Sequence, residues 1–411
     1  MNVLFVKKRH ALIMLLLFCI LGIAIHWSFN PSSANATTPK VTFEWLIEPK
    51  FKHAMNFVGG LAWATEESRK GNMTTWQLIN NKGKVVIKKF PAFFVQEYVY
   101  DEKTDTCLAS FTATFGPKKQ EGYLDRSGKI AIPAKYRFTT YFKEGMASVK
   151  AENGKYGVIN SRGETVLPFI YANTVVWDSN MFMVESGDKC AFVDASGNHV
   201  TNFSFNLPYT SRLPEGLYLG VIGEEKSRFS LSLEGLKSGL LDSKGKWVLP
   251  PVYDAIYGTK SELIGVAKDR KVGFVDTQGN VVIDYQYEMW TPHDPVLYRF
   301  ADGLAAVVLP EQKEGDYAFG VIDTQGKLLF ELPGKPYWYY SEGFIAVRRT
   351  EDGASGLVDM MGTWYPLPPE VELYDQLKAA VSDGILVVRA KENSRKYEKN
   401  KHGYLKVVTH D

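Results

Sequence analysis

Apolar and polar positions alternate in short runs along most of this chain, and one run keeps returning. Its plainest copy is Phe274-Val275-Asp276-Thr277-Gln278-Gly279-Asn280-Val281-Val282-Ile283. Apolar residues lead to Asp276, two polar residues and Gly279 make a turn, and β-branched residues follow. The pattern predicts strand, tight turn, strand. An Asp opens such a turn because its carboxylate accepts backbone N–H groups, and a Gly closes it because that position needs φ > 0. The run recurs as Tyr123 to Ile132, Val158 to Leu167, Leu240 to Leu249, Val321 to Phe330 and Leu357 to Pro366. Weaker copies run from Leu78 to Ile87 and from Phe192 to Thr201.

The turn positions are therefore Asp125/Gly128, Asp242/Gly245, Asp276/Gly279, Asp323/Gly326 and Asp359/Gly362, with Asn80/Gly83, Asn160/Gly163 and Asp194/Gly197 completing the set. Successive glycines lie 45, 35, 34, 48, 34, 47 and 36 residues apart. The shorter spacing holds three or four short strands. The longer one implies loop insertions on one face, with Gly223 to Glu234 and Glu311 to Asp316 as candidates. A second phrase precedes the turn phrase, an acid-Gly pair followed by an apolar strand: Glu144-Gly145, Asp302-Gly303, Glu342-Gly343 and Asp383-Gly384. A connecting segment with an aromatic, such as Phe142 or Phe300, leads into each of these.

The two ends of the array are complementary. Trp45-Leu46-Ile47-Glu48-Pro49-Lys50-Phe51 reads as the last strand of a unit, and Gly403-Tyr404-Leu405 as the strand before it. Pairing them closes a ring and removes two open sheet edges. Counting the split unit gives nine, against the four to eight blades usual in propellers. The expected fold is all-β, an array of about eight to nine three- to four-stranded units. It is either a closed, propeller-like ring or an open solenoid or spiral.

Composition adds compartment and class. Residues 1–36 carry a basic start (Lys7, Lys8, Arg9), an apolar run from Ala11 to Ile25, and Ala34-Asn35-Ala36. This predicts a secretory signal cleaved after Ala36, or an uncleaved signal anchor. Residues 37–44 are expected to be a linker and 45–411 the repeat domain, placed outside the cytoplasm. The formal charge of +2 falls to −1 without the three leader bases, and no basic stripe follows along the sequence. A nucleic-acid partner is not expected. The run from Lys391 to Lys401 reads as a solvated loop. Cys107 and Cys190, the cysteines beyond the leader, fall in different units, and the simplest reading is two buried thiols.

The chain resembles the WG-repeat family of bacterial β-repeat proteins. The resemblance rests on Gly157-Val158-Ile159-Asn160-Ser161-Arg162-Gly163 and Gly320-Val321-Ile322-Asp323-Thr324-Gln325-Gly326-Lys327, and it extends from Trp45 to Leu405. The Trp that names the family is replaced before these glycines by Tyr156, Phe319, Val272 or Ser238. The resemblance implies a repeat-built protein with an interaction role. It supplies no catalytic residue.

Candidate chemistry is sparse. Calcium sites need several oxygens converging on one ion, whereas each turn offers one acid, so the turn acids are read as structural. His53, His199, His293 and His402 are isolated, no metal-ligand spacing occurs, and no nucleophile elbow or phosphate loop is present. No cofactor is expected. The notable cluster is Pro336-Tyr337-Trp338-Tyr339-Tyr340. Side chains on a strand alternate faces, so the four rings of Tyr337, Trp338, Tyr339 and Tyr340 cannot all enter one core. With Trp290 they are the candidate partner-binding residues. The expected function is an exported, non-catalytic scaffold for protein–protein interaction. The alternatives are a cell-wall glycan-binding module and, third, a hydrolase of an envelope polymer.

Overall fold

A computed structural model describes residues 40–67, 74–96, 98–101, 103–115, 118–206, 213–223, 235–258, 261–291, 297–310, 317–336, 341–373 and 381–410. Among these residues there is no helix, and the strands form nine antiparallel sheets. The sheets are the blades of a nine-bladed β-propeller.

Blade 1 runs from His53–Ala54 to Val85–Ala92, blade 2 from Phe94–Val95 to Ile130–Tyr136, and blade 3 from Phe138–Thr139 to Thr165–Tyr171. Blades 4 and 5 span Asn173–Val176 to Lys189–Asp194 and Tyr218–Gly223 to Trp247–Tyr253. Blades 6, 7 and 8 end in the outer strands Val281–Glu288, Leu328–Leu332 and Trp364–Pro366. Blade 9 is composite: Val371–Leu373, Ile385–Ala390 and His402–His410 come from the end of the chain, and Lys40–Phe51 completes the sheet beside His402–His410. The ring is therefore closed, and the open solenoid is excluded. Strand begins at Lys40, so the last five residues of the expected linker belong to the ring.

Blade 3 shows how a unit is built. Met146–Lys150 and Tyr156–Asn160 pair residue for residue, and their central residues are buried. Phe138–Thr139 pairs with Lys150 and Val149, and the hydrogen bonds continue up to Lys143 and Met146. The segment carrying Phe142 is thus the first strand of a blade rather than a connector between units. The fourth strand, Thr165–Tyr171, pairs with a register shift and buries only Leu167.

That register shift explains two residue choices. A Cβ on Gly157 would lie 2.7 Å from the Leu167 carbonyl oxygen, and one on Gly122 would lie 2.5 Å from that of Ile132. The bulged outer strand crowds the third strand, and Gly relieves it. Pro133 and Pro168 sit in those outer strands, where a missing N–H costs no ladder bond.

Neighbouring blades pack face to face. Buried clusters join blades 6, 7 and 8 through Phe274, Phe300, Val321 and Ile345, and blades 4 to 6 through Phe192, Tyr218, Leu240 and Val266. The closing interface uses the same parts as an interior one. Tyr123 donates to the Thr140 carbonyl at 2.7 Å and packs edge-on against Phe142 at 4.7 Å. Tyr404 donates to the Met55 carbonyl at 3.0 Å and packs edge-on against Phe57 at 4.9 Å.

The Lys391 to Lys401 run does more than meet solvent. Tyr397 lies 5.6 Å edge-on from Trp45 and donates to Glu48 at 3.3 Å, and Lys396 pairs with Glu48 at 3.3 Å. It staples the first strand to the last blade.

Candidate interaction faces

Strands in each blade alternate in direction. The turn between first and second strands and the turn between third and fourth strands therefore open on the same face. Arg126, in the outer turn of blade 2, donates to the Gly59 carbonyl of the inner turn of blade 1 at 2.5 Å.

The outer turns carry the Asp-x-x-Gly phrase. Asp276 Oδ1 accepts the N–H groups of Gln278 at 2.9 Å and Asn280 at 2.8 Å, and Asp125, Asp242, Asp323 and Asp359 accept from the same two positions. The Asn280 side-chain amide, which donates to Asp276 Oδ2 at 2.9 Å, is the main cause that holds the Asp276 carboxyl below the usual carboxylate range, and the backbone bonds add to it. Gly128, Gly245, Gly279, Gly326 and Gly362 all have positive φ. They also have a second role that turn chemistry alone does not reveal. Four of them lie against the outer strand of the preceding blade, Gly128 over Ile87, Gly279 over Leu249, Gly326 over Ile283 and Gly362 over Phe330, and Gly245 lies over Thr201 in the segment after the last strand of blade 4. At the seam Gly83 lies over Leu46.

The inner turns carry the acid-Gly phrase. Glu144, Asp302, Glu342 and Asp383 all have φ near +50°, and the following glycines are positive as well, which is the two-residue type I′ hairpin. The carboxylates of Glu144, Glu342 and Asp383 reach the next blade. Asp383 accepts the Gly60 N–H at 2.7 Å, Glu342 accepts those of Asp383 and Gly384 at 2.8 Å each, and Glu144 accepts that of Ser179 at 3.0 Å. In blade 2 Asp101 takes this part, accepting the Gly145 N–H at 2.6 Å. Burial works to raise the Glu144 pKa, but the Lys103 ammonium at 3.0 Å and the Ser179 N–H outweigh it and hold the carboxyl low. Lys103 also pairs with Glu215 at 3.1 Å, joining the inner rims of blades 2, 3 and 5. The inner rim of this face is thus lined with carboxylates that are already in use as latches between blades.

Among the predicted partner-binding aromatics, Trp290 is half-buried between blades, 4.8 Å from Tyr317 and 5.6 Å from Phe319, with Lys335 Nζ 4.8 Å from its ring centre. Tyr337, Trp338, Tyr339 and Tyr340 lie outside the described residues, as do the expected leader 1–36, residues 224–234 and 311–316, and His293. The structure exposes other rings that the sequence did not single out: Tyr100, Phe138, Tyr141 and Phe203. Tyr100 lies on the strand Val99–Asp101 of blade 2, Phe138 on the first strand of blade 3, and Tyr141 just beyond that strand.

Cys107 and Cys190 are buried thiols outside any disulfide, and burial raises the Cys107 pKa. No group of three metal-ligating side chains forms among the described residues. His402 sits at the seam with Nδ1 3.4 Å from the Phe51 carbonyl; burial, then the nearby His53 and Arg389, lower its pKa to about 4.

Fold and turns together define a closed β-propeller built from a single repeated unit. The sequence pattern of the WG containing repeat matches residues 41–68, 122–156, 156–190, 239–271 and 273–309. The WG containing repeat is thus recognised at five places along the chain. No protein with a curated description matches the sequence. Solved structures similar to the chain include a eukaryotic initiation factor, at 9% identity and a TM-score of 0.41, covering 89% of each chain. Others are dipeptidyl peptidase 4 of Porphyromonas gingivalis (11% identity, TM-score 0.43, 88% of this chain and 60% of that one) and the β-propeller domain of the Trilobed protease from Pyrococcus furiosus (9%, 0.37, 87% and 94%).

Proposed function

We propose that the protein is an exported, non-catalytic scaffold that binds a protein partner at the cell envelope or outside the cell. One observation carries this reading. The outer turns keep the same five-residue geometry, while the connections between second and third strands differ widely in length. Gly187 and Asp188 suffice in blade 4, whereas Gly223 and Leu236 bracket a long connection in blade 5, and Lys391 to Lys401 another in blade 9. A rigid frame with variable loops on one face is how repeat proteins acquire binding specificity. The signal-like leader supports the compartment.

The exposed rings of Tyr100, Phe138 and Tyr141 favour a second reading, a cell-wall glycan-binding module, since such rings stack on sugars. Affinity capture from an envelope extract, with purified cell wall run in parallel, separates the two. A saturable protein partner supports the scaffold. Retention on wall alone, reduced by Tyr141→Ala, supports the glycan binder. Hydrolytic turnover of a wall polymer overturns both.

A further inference from the structure

The outer strands of blades 1 and 6 begin with the same apolar residues and different charges. Blade 1 reads Gly83-Lys84-Val85-Val86-Ile87-Lys88 and blade 6 reads Gly279-Asn280-Val281-Val282-Ile283-Asp284. Both are placed alike. Ile87 and Ile283 turn inward beneath Gly128 and Gly326 of the following blades. The valines turn outward: Val85 and Val86 are 40% and 51% exposed, and Val281 and Val282 are 50% and 46% exposed.

What surrounds each pair differs in sign. Beside Val85 and Val86, Lys82, Lys84, Lys88 and Lys89 are all exposed, and none of them forms an ion pair among the described residues. Blade 2 continues this wall with exposed Ile130 between Lys129 and Lys135. Beside Val281 and Val282, Asp284 is exposed, and blade 7 continues the wall with exposed Leu328, Leu329 and Glu331; Lys327 is the one base in this stretch. Asp284 and Glu331 likewise form no ion pair among the described residues. Blade 6 is the fifth after blade 1 in a ring of nine, so the two walls face opposite ways.

The geometry points to head-to-tail self-association, in which the basic wall of blades 1 and 2 docks on the acidic wall of blades 6 and 7 of a second copy. Each wall presents exposed valines on an outermost strand, whose edge is open to pairing. Opposite charges flank them, so the two surfaces attract and fix their alignment. Like walls would bring like charges together, which rules out a two-fold contact through either. A contact between different surfaces on opposite sides of a molecule does not close on itself; it propagates into strings. A basic wall alone would suit any polyanion. The matched wall in the same chain singles out a second copy.

Sedimentation velocity over a concentration series, at low and high salt, tests this on the purified protein. Association beyond the dimer is expected at low salt, with species shortening as salt screens the walls. The double variants Lys88→Glu/Lys89→Glu and Asp284→Lys/Glu331→Lys should each weaken association about tenfold or more. Mixing the two variants should restore it, because each keeps the wall the other lacks, and restoration also shows that both are folded. A protein that stays monomeric throughout overturns the proposal. So does association that neither variant alters, or a basic wall that binds heparin while the chain remains monomeric.

Discussion

Tyr404 and Met55 are 349 positions apart in sequence, yet the Tyr404 hydroxyl donates to the Met55 carbonyl at 3.0 Å with the ring fully buried. The interior pair Tyr123 and Thr140 makes the same bond at 2.7 Å. If the seam is an ordinary blade interface, Tyr404→Phe and Tyr123→Phe should cost similar amounts. Each leaves a buried carbonyl without its donor, about 1–2 kcal/mol. Denaturant unfolding measures both, and a negligible effect at Tyr404 alone would mean a looser seam.

Crowding and backbone strain can be separated with two glycines. Gly154 has φ +80° and nothing within 4 Å of a would-be Cβ, so Gly154→Ala meets only the cost of a left-handed conformation, about 1 kcal/mol. Gly122 is not left-handed, but its Cβ would lie 2.5 Å from the Ile132 carbonyl oxygen and 2.7 Å from the Ala134 nitrogen. Neither atom can swing aside. Gly122→Ala should cost roughly 3 kcal/mol, within the range for overpacking of a fixed core. Melting temperatures of the two variants, read side by side, check the order.

His402 gives the seam a pH dependence. Its folded pKa of about 4 lies below the ordinary 6.5 because burial opposes charge. The unfolded chain takes the proton near 6.5 and the folded ring only near 4. Stability is therefore full above 6.5, falls as pH drops through that window, and levels off below 4. The loss is on the order of 3 kcal/mol. Because other groups titrate there too, the readout is the difference between the parent and His402→Gln. That difference should change between pH 6.5 and 4 and stay constant above 6.5.

Removing residues up to Phe51 deletes the outer strand of blade 9 and exposes the edge of His402–His410. The shortened chain should melt lower and aggregate. A peptide spanning Lys40 to Phe51, added in trans, should raise the melting temperature in a saturable way. No response to the peptide would mean that the strand contributes little to closure.

The turns were readable because their chemistry is local. Asp276 and Gly279 specify their own geometry within four residues, and the split unit followed from noticing which strand each terminus lacked. Other features depend on partners far off in sequence. The first strand of blade 3 was hidden because Phe138–Thr139 has no period of its own and is defined by pairing with Val149 and Lys150. The second role of Gly128 depends on Ile87, which lies in the preceding blade. The basic wall is only partly local: Lys82, Lys84, Lys88 and Lys89 lie close in the chain, but their continuation by Lys129 and Lys135 of blade 2 is set by the ring. Trp290 packs against Tyr317 and Phe319, contacts that no spacing along the sequence predicts.

The composite blade also sets the order of assembly. The strand Lys40–Phe51 is among the first parts of the ring to be synthesised and the last to find its neighbour, because His402–His410 must exist first. Until then eight blades can stack while both end faces of the stack stay wet. Pairing across so long a separation is slow. A bound factor that shields the waiting strand would speed maturation, and one that occupies its place beside His402–His410 would trap the ring open.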